Sequence, residues 1–331
     1  MNIYEVAKAA GVSTATVSRV LNGAPGVSPE TRRRVQAVMD DCSYQPNAFA
    51  RGLGFNSMST VGLLCADVSD RYLAGAVSVL EKELREKQYD SFLCCTGREW
   101  EERKARIEAV LARHVDGLIL IGSHFICEDE EKNAYITEAA KRVPLVLIGA
   151  RTDTDNVYCV LCDDREAMEN MTGLLLDRGR RNLVYLYDHA SYSGLKKMEG
   201  FRDAHKKRGL TVKEENLLCI GGGEDPIRAA QSALEAYARP FDGVVASEDA
   251  LAAGALKYAA ARGLSVPGAL CVTGYNDSEV ARACTPELTG VDNCPETLCK
   301  KAVEVLMDVL KGREAEKVSV YPGKVVERQS T

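Results

Sequence analysis

The sequence predicts an α/β protein: an all-α N-terminal head built around a helix-turn-helix, followed by a two-lobed, doubly wound body. Three observations carry this reading. Helical spacing broken by a glycine corner fills the stretch before Asp41. From Thr60 onward, apolar strand-like runs alternate with helical runs, and the runs suffice for two parallel sheets. The expected divisions are 1–45 for the head, 46–59 for a short helix and linker, and 60–331 for the body.

In the head, Tyr4, Val6, Ala7 and Ala10 recur at helical intervals, and Gly11 then supplies the positive φ that a sharp turn needs. A first helix therefore ends near Ala10. Ser13 is a good N-cap for a second helix from about Thr14, with Val12 and Val17 at the two positions of a hydrophobic staple. Val17, Val20 and Leu21 share one face, which leaves Thr14, Ala15, Ser18, Arg19 and Asn22 outward. In VSPETRRRVQAVMDDCSY, Ser28 caps a third helix, Pro29 takes its first position, and Val35, Val38 and Met39 mark its apolar side. Three short helices with a corner between the first two make a unit whose second helix can enter a DNA major groove, short side chains first. A plain helical bundle would not expose a helix with so few long charged residues.

The linker YQPNAFARGLGFNSMST carries a helix breaker at Pro46, a cap at Asn47 and one or two turns through Ala48, Phe49, Ala50, Arg51 and Leu53, with glycines at 52 and 54. A helix this short is marginal alone and folds on docking. Arg51 beside apolar Phe49 and Leu53 suits a minor groove, where a cation meets phosphate and an apolar wedge opens a base step.

Nine strand candidates follow in the body: TVGLLCA, YDSFLCC, DGLILIG, PLVLIG, VYCVLC, NLVYLY, ENLLCIG, DGVVAS and ALCVTGY. Between them lie helical runs such as GAVSVLEKELREK, GFRDAHKKRG and DALAAGALKYAAARG. In doubly wound folds ligands bind at the carboxyl ends of the strands, so a cleft between two lobes is the expected site.

Charge separates the parts. Residues 1–56 hold six cations against four anions, a balance of +2, so the remainder carries −8 of the total −6. An acidic body with a basic head is compatible with DNA binding through the head alone. No run of 18 apolar residues and no basic-then-apolar leader is present, which predicts no membrane association and a cytoplasmic location. The twelve cysteines lie mostly in apolar runs and read as buried thiols. Cys159 and Cys162 form a C-x-x-C, but a separation of three along a strand puts them on opposite faces, so no metal is expected there.

Little supports an enzyme or a cofactor. GGGED at 221–225 lacks the dinucleotide-binding spacing and opens no clear helix as a phosphate cradle would, SYSG at 191–194 lacks a full nucleophile elbow, and His114, His124, His189 and His205 fit no triad or metal spacing and read as surface or loop residues. A solute-binding protein without a DNA-directed role, the competing reading, fails on the absent leader and on the head.

At this point the residues match a known family. VAKAAGVSTATVSRVLNG, VSPETRRRVQ and YQPNAFARGL closely resemble the head and hinge of the lactose-repressor/galactose-repressor family of bacterial transcriptional regulators. LLLDRGRRNLVYL, GFRDAHKKRGL, DALAAGALKYAAARGLSVPGALCVTGYND, PELTGVDN and VVERQST continue the likeness through the body. The resemblance implies a homodimer on a near-palindromic operator, probing it with two heads, and a periplasmic-binding-protein-like body that senses a small-molecule effector, a sugar or related metabolite. It implies lobes of about 60–160 plus 291–317 and about 161–290 plus 318–331. It places Thr14 and Ala15 at base-reading positions, Thr16, Ser18, Arg19 and Asn22 at backbone or base-edge positions, Leu53 at the hinge wedge, and Ala50 and Arg51 beside it. For the effector it implies Tyr72, Arg151, Lys197, Ser247, Glu248, Asn276 and Asn293. Here the chain departs from its relatives: Lys197 replaces an arginine, Ser247 and Glu248 an Asn-Asp pair, Asn276 an aspartate, Asn293 a glutamine, and Gly149 the aspartate of some sugar-responsive members. A lysine point charge does not grip a ligand as an arginine fork does, which weakens the expectation of a sugar.

Overall fold

The computed structural model describes residues 3–21, 24–42, 57–127, 129–221 and 225–331. They fall into two compact units, divided between Ser59 and Thr60.

The first unit holds α1 (Ile3–Ala10), α2 (Thr14–Leu21) and α3 (Pro29–Asp41). Gly11 turns the chain with a φ of +63°. The Ser13 hydroxyl accepts the Thr16 amide at 3.2 Å, and the Ser28 hydroxyl accepts the Thr31 amide at 3.2 Å, so both helices start on a serine cap. Val6, Ala7, Ala10, Val17, Val20, Val35 and Met39 form the core, with Val12 packed against it beside Val17 as a staple would be. Tyr4 departs from its expected place: although it keeps the helical spacing, it is 73% exposed.

The second unit is built on two parallel sheets, and every one of the nine strand runs contains a strand. The first sheet has six strands in the order β11-β5-β4-β3-β1-β2, formed by β1 (Thr60–Cys65), β2 (Asp90–Cys95), β3 (Gly117–Ile121), β4 (Leu145–Ile148), β5 (Val157–Cys162) and β11 (Val318–Tyr321). The second has four, β7-β6-β8-β9, formed by β6 (Leu183–Tyr187), β7 (Leu217–Cys219), β8 (Gly243–Ala246) and β9 (Cys271–Thr273). Helices cover both faces of each sheet, so inner strands are apolar on both sides: every residue of β3 and β4 is buried. Alternate residues feed opposite cores. Leu63 and Ile119 pack on one face with α4 (Arg71–Glu86) and the helix Pro295–Leu310, while Leu64 and Leu120 pack on the other.

The chain crosses between lobes three times, after Cys162, after Asp292 and after Tyr321, and a two-stranded antiparallel ladder pairs β10 (Gly290–Asp292) with β12 (Lys324–Val326). This corrects the expected lobe boundaries. Residues 161–162 and 318–321 belong to the first lobe, because β5 runs to Cys162 and β11 is bonded along it, and 291–292 belong with the second, where Val291 is buried. Backbone pairing with distant strands settles both, and no local pattern encodes it.

The cysteines also need correction. Five of the twelve are buried, whereas Cys95 and Cys219 are exposed and the others half-buried. β2 is an edge strand, and its end leaves Leu93 and Cys95 outward. Cys159 and Cys162 lie at odd and even positions of β5, on opposite faces, and both are buried.

Candidate functional site

Two regions carry the expected chemistry, one in each unit. On α2, Ala15 and Arg19 are exposed and Thr14, Thr16 and Ser18 are half-buried, which makes a short polar face opposite the buried Val17 and Val20. The Thr16 hydroxyl lies 2.9 Å from that of Ser13, so it also serves the helix start. Arg32, counted in the sequence only as charge, has a positioning role: its guanidinium donates to the Ala24 carbonyl at 2.9 Å and ties the turn after α2 to α3. Asn22, Ala50, Arg51 and Leu53 lie outside the described residues.

The second region is a cavity of about 350 Å³ between the two sheets of the body. Strand ends and the helix starts that follow them supply its walls, as the doubly wound topology requires. Asp70 caps α4 by accepting the Tyr72 amide at 2.8 Å, which sets Tyr72 in the wall. Gly149 follows β4 with a φ of +84° that disfavours a side chain. From the second lobe come Lys197, on the helix Tyr192–Lys207, and Glu248, after β8. Asn276 has a φ of +93°, and Asn293 precedes the helix Pro295–Leu310.

Five of the seven effector candidates therefore meet: Tyr72, Lys197, Glu248, Asn276 and Asn293 line this cavity. The Asn293 amide donates to the Tyr72 hydroxyl at 3.0 Å and to Asn276 Oδ1 at 3.3 Å, a polar bridge across the crossover. Ser247 is buried behind the wall, where its carbonyl accepts from Lys197 Nζ at 3.1 Å. Arg151 does not join the group. Its side chain is outward and sits 3.6 Å from Asp153, because Gly149 and Ala150 carry the chain past the strand end.

Sequence reasoning missed several residues here. His124 and His189, read as surface or loop residues, both line the cavity, and His205 is buried in its helix with Nδ1 2.8 Å from the Phe201 carbonyl. His114 is exposed. Asp188, Arg98 and Asp164 also line the cavity. His189 Nδ1 lies 2.7 Å from Asp188, and Arg98 lies 2.8 Å from His189 Nε2, so the first lobe's arginine reaches a pair on the second. Arg98, Asp188 and His189 sit on loops, His124 on a single 3-10 turn and Asp164 at a helix start, where no periodicity tells burial. His205, by contrast, lies four residues after Phe201 on a buried helix face, and helical spacing could have found it.

The electrostatics follow from burial. Asp164 accepts a 2.6 Å bond from Tyr275, and burial lifts its carboxyl against the pull of Lys197 and its hydrogen bonds. At Asp188 burial also acts upward, but the His189 bond and charge and Arg98 outweigh it and hold the group low. Burial, reinforced by Arg103 and Arg98, drives His124 down to about 3, so the ring is neutral. Glu248 rises from 4.5 to about 7 through burial first and then Asp188, with Lys197 and Arg98 only partly compensating.

GGGED needs a correction of detail. A helix does open after it, at Pro226, but the Asp225 carboxylate already caps that helix through the Arg228 amide, and residues 222–224 are not described. A phosphate would meet a carboxylate there. Among the described residues no cluster of His, Cys, Asp and Glu could hold a metal ion, and no helix is long and apolar enough to cross a membrane.

Comparison with known proteins adds family. Residues 2–47 match the family of bacterial regulatory proteins of the lacI type, and residues 172–331 match the periplasmic binding protein-like domain. An HTH-type transcriptional regulator from Lachnoclostridium phytofermentans (strain ATCC 700394 / DSM 18823 / ISDg) is 40% identical over 331 residues, covering 100% of this chain and 99% of that one. A transcriptional regulator CelR solved with cellobiose is 26% identical, with a TM-score of 0.72 and complete coverage of both chains. A lac repressor dimer solved on its operator has a TM-score of 0.87 at 22% identity, covering 100% of this chain and 98% of that one, a likeness of fold.

Proposed function

This chain belongs to the LacI family of bacterial regulatory proteins and is a DNA-binding transcriptional regulator, and from that premise we propose that it acts as a homodimeric repressor in the cytoplasm, controlled by a small molecule in the interlobe cavity. It performs no catalysis. One observation supports the proposal above others: a single chain joins an outward polar helix face, Ala15 to Arg19, with a polar cavity at the strand ends of a two-lobed body.

The mechanism follows from these parts. Two α2 helices enter successive major grooves of a near-palindromic site, and Thr14, Ala15, Thr16, Ser18, Arg19 and Asn22 contact it. Thr and Ala offer no bidentate pair, so base choice rests on hydroxyl and apolar contacts, on Arg19, and on how readily the centre deforms around Leu53, Ala50 and Arg51. In the body Tyr72, Lys197, Glu248, Asn276 and Asn293 take the effector, Ser247 holds Lys197 from behind the wall through its carbonyl, and Arg151 takes no part. The ligand binds both lobes at once and shifts the population toward one lobe arrangement, to which operator affinity is coupled.

In vitro selection from a random duplex pool with the full chain tests the regulator reading. It should enrich one palindrome with half-sites about a helical turn apart. Enrichment of an unpaired half-site would remove the dimer from the proposal.

A further inference from the structure

The cavity wall holds four carboxylates, Asp70, Asp164, Asp188 and Glu248, against three side chains that are always cations or nearly so, Arg98, Arg103 and Lys197. One negative charge is left over, and the contacts show which. Asp70 is spent on its helix cap, Asp164 on Tyr275, and Asp188 on His189 and Arg98. Lys197 gives its ammonium to the Ser247 carbonyl and to the face of the Tyr275 ring, 3.9 Å away. The Glu248 carboxylate has no hydrogen bond or ion pair among the described residues, and only its backbone carbonyl is bonded, to the Ala252 amide. Nor has the buried Oδ1 of Asn293 a partner among them. The site's unmet demand is therefore for donors and for one positive charge.

We propose that the cavity takes an amine-bearing, hydroxylated small molecule, of the amino sugar or amino polyol class, with its ammonium against Glu248. This rests on the reading of the cavity as the effector site. An ammonium brings three donors and the missing charge, so it satisfies Glu248 and reaches a second acceptor at once. Hydroxyls elsewhere on the ligand meet neutral partners, since Asn276, Ser123 and Ser191 also line the wall. An anionic ligand gains little, because Arg98 is held by its own carboxylate, Lys197 by a carbonyl and a ring, and Arg103 by the carbonyls of His124 and Glu99. The groups that face Glu248 are Asp188 and Asp70, which repel its charge, and Lys197 and Arg98, which attract it without neutralising it. Its resting state near neutral pH is thus part protonated, and an ammonium ligand completes the ionisation.

The test is a thermal-shift screen of the full chain at pH 8 with glucosamine and glucose, galactosamine and galactose, and with glucose 6-phosphate and gluconate. An amine member should raise the melting temperature where its neutral twin does not. Its Kd should weaken about fivefold from pH 7 to pH 6 and at least tenfold in Glu248→Gln. A neutral sugar that binds wild type and Glu248→Gln alike overturns the amine while leaving the cavity reading in place, as do hits confined to the phosphate and the carboxylate. No shift with any compound overturns both.

Discussion

The carboxyl of Glu248 links the site to stability. Burial and then Asp188 lift it from 4.5 to about 7, so the folded protein holds a proton there that the unfolded chain releases between those values. Its neutral form is the stable one, and this contribution is present below pH 4.5 and lost as pH rises through 7. Glu248→Gln is neutral throughout. Urea unfolding should therefore show the variant gaining up to about 3 kcal/mol on the wild type between pH 4.5 and pH 8. Parallel pH profiles would mean that Glu248 finds a partner in solution. At this scale the family resemblance, more than any local pattern, revealed the cavity residues, Glu248 just after β8 and Asn293 just before a helix among them. Arg98, Asp188 and His189 sit on loops and His124 on a single 3-10 turn, where chain position says nothing of what faces what. Arg151 shows the converse, since a residue two places beyond a cavity-lining glycine can point away.

At the level of elements, propensity and capping decided most outcomes. Ser28 and Pro29 start α3 where the cap rules put it, and the Ser28 hydroxyl holds the Thr31 amide. Ser28→Ala should cost about 1 kcal/mol, seen as a roughly fivefold loss of hydrogen-exchange protection in the helical head while the body's amides stay unchanged. Equal loss in both units would show that they unfold together. Nine strands announced themselves as apolar runs. Three others did not, and length is not the reason, since β7 and β9 have three residues just as β10 and β12 do: GVD, VSVY and KVV hold at most two adjacent apolar residues among polar neighbours, so no run marks them. They exist because partners far away in sequence supply their hydrogen bonds, as β5 does for β11. The amphipathic helix Pro295–Leu310, which buries Leu298, Ala302 and Leu306 against the first sheet, was legible by spacing and yet stood outside the helical runs singled out in the sequence.

For the whole molecule, the body's lobes are joined by three crossings and by polar contacts across the cavity. Ser123 donates to Ser191 at 2.9 Å, Arg98 reaches His189 and Asp188, and Arg71 lies 2.9 Å from Glu279. The last pair is 75% exposed on both sides and contributes little. The lobes are therefore held together mainly at the ligand's own binding site, which is what lets a ligand bias their arrangement. Coupling between that cavity and the DNA is the central claim. Fluorescence anisotropy tests it most directly: a labelled duplex from the selection is titrated with the full chain, with and without a saturating amino sugar that raises the melting temperature. Operator Kd should change tenfold or more, equivalent to about 1.4 kcal/mol of coupling. An unchanged Kd with the cavity occupied would contradict it.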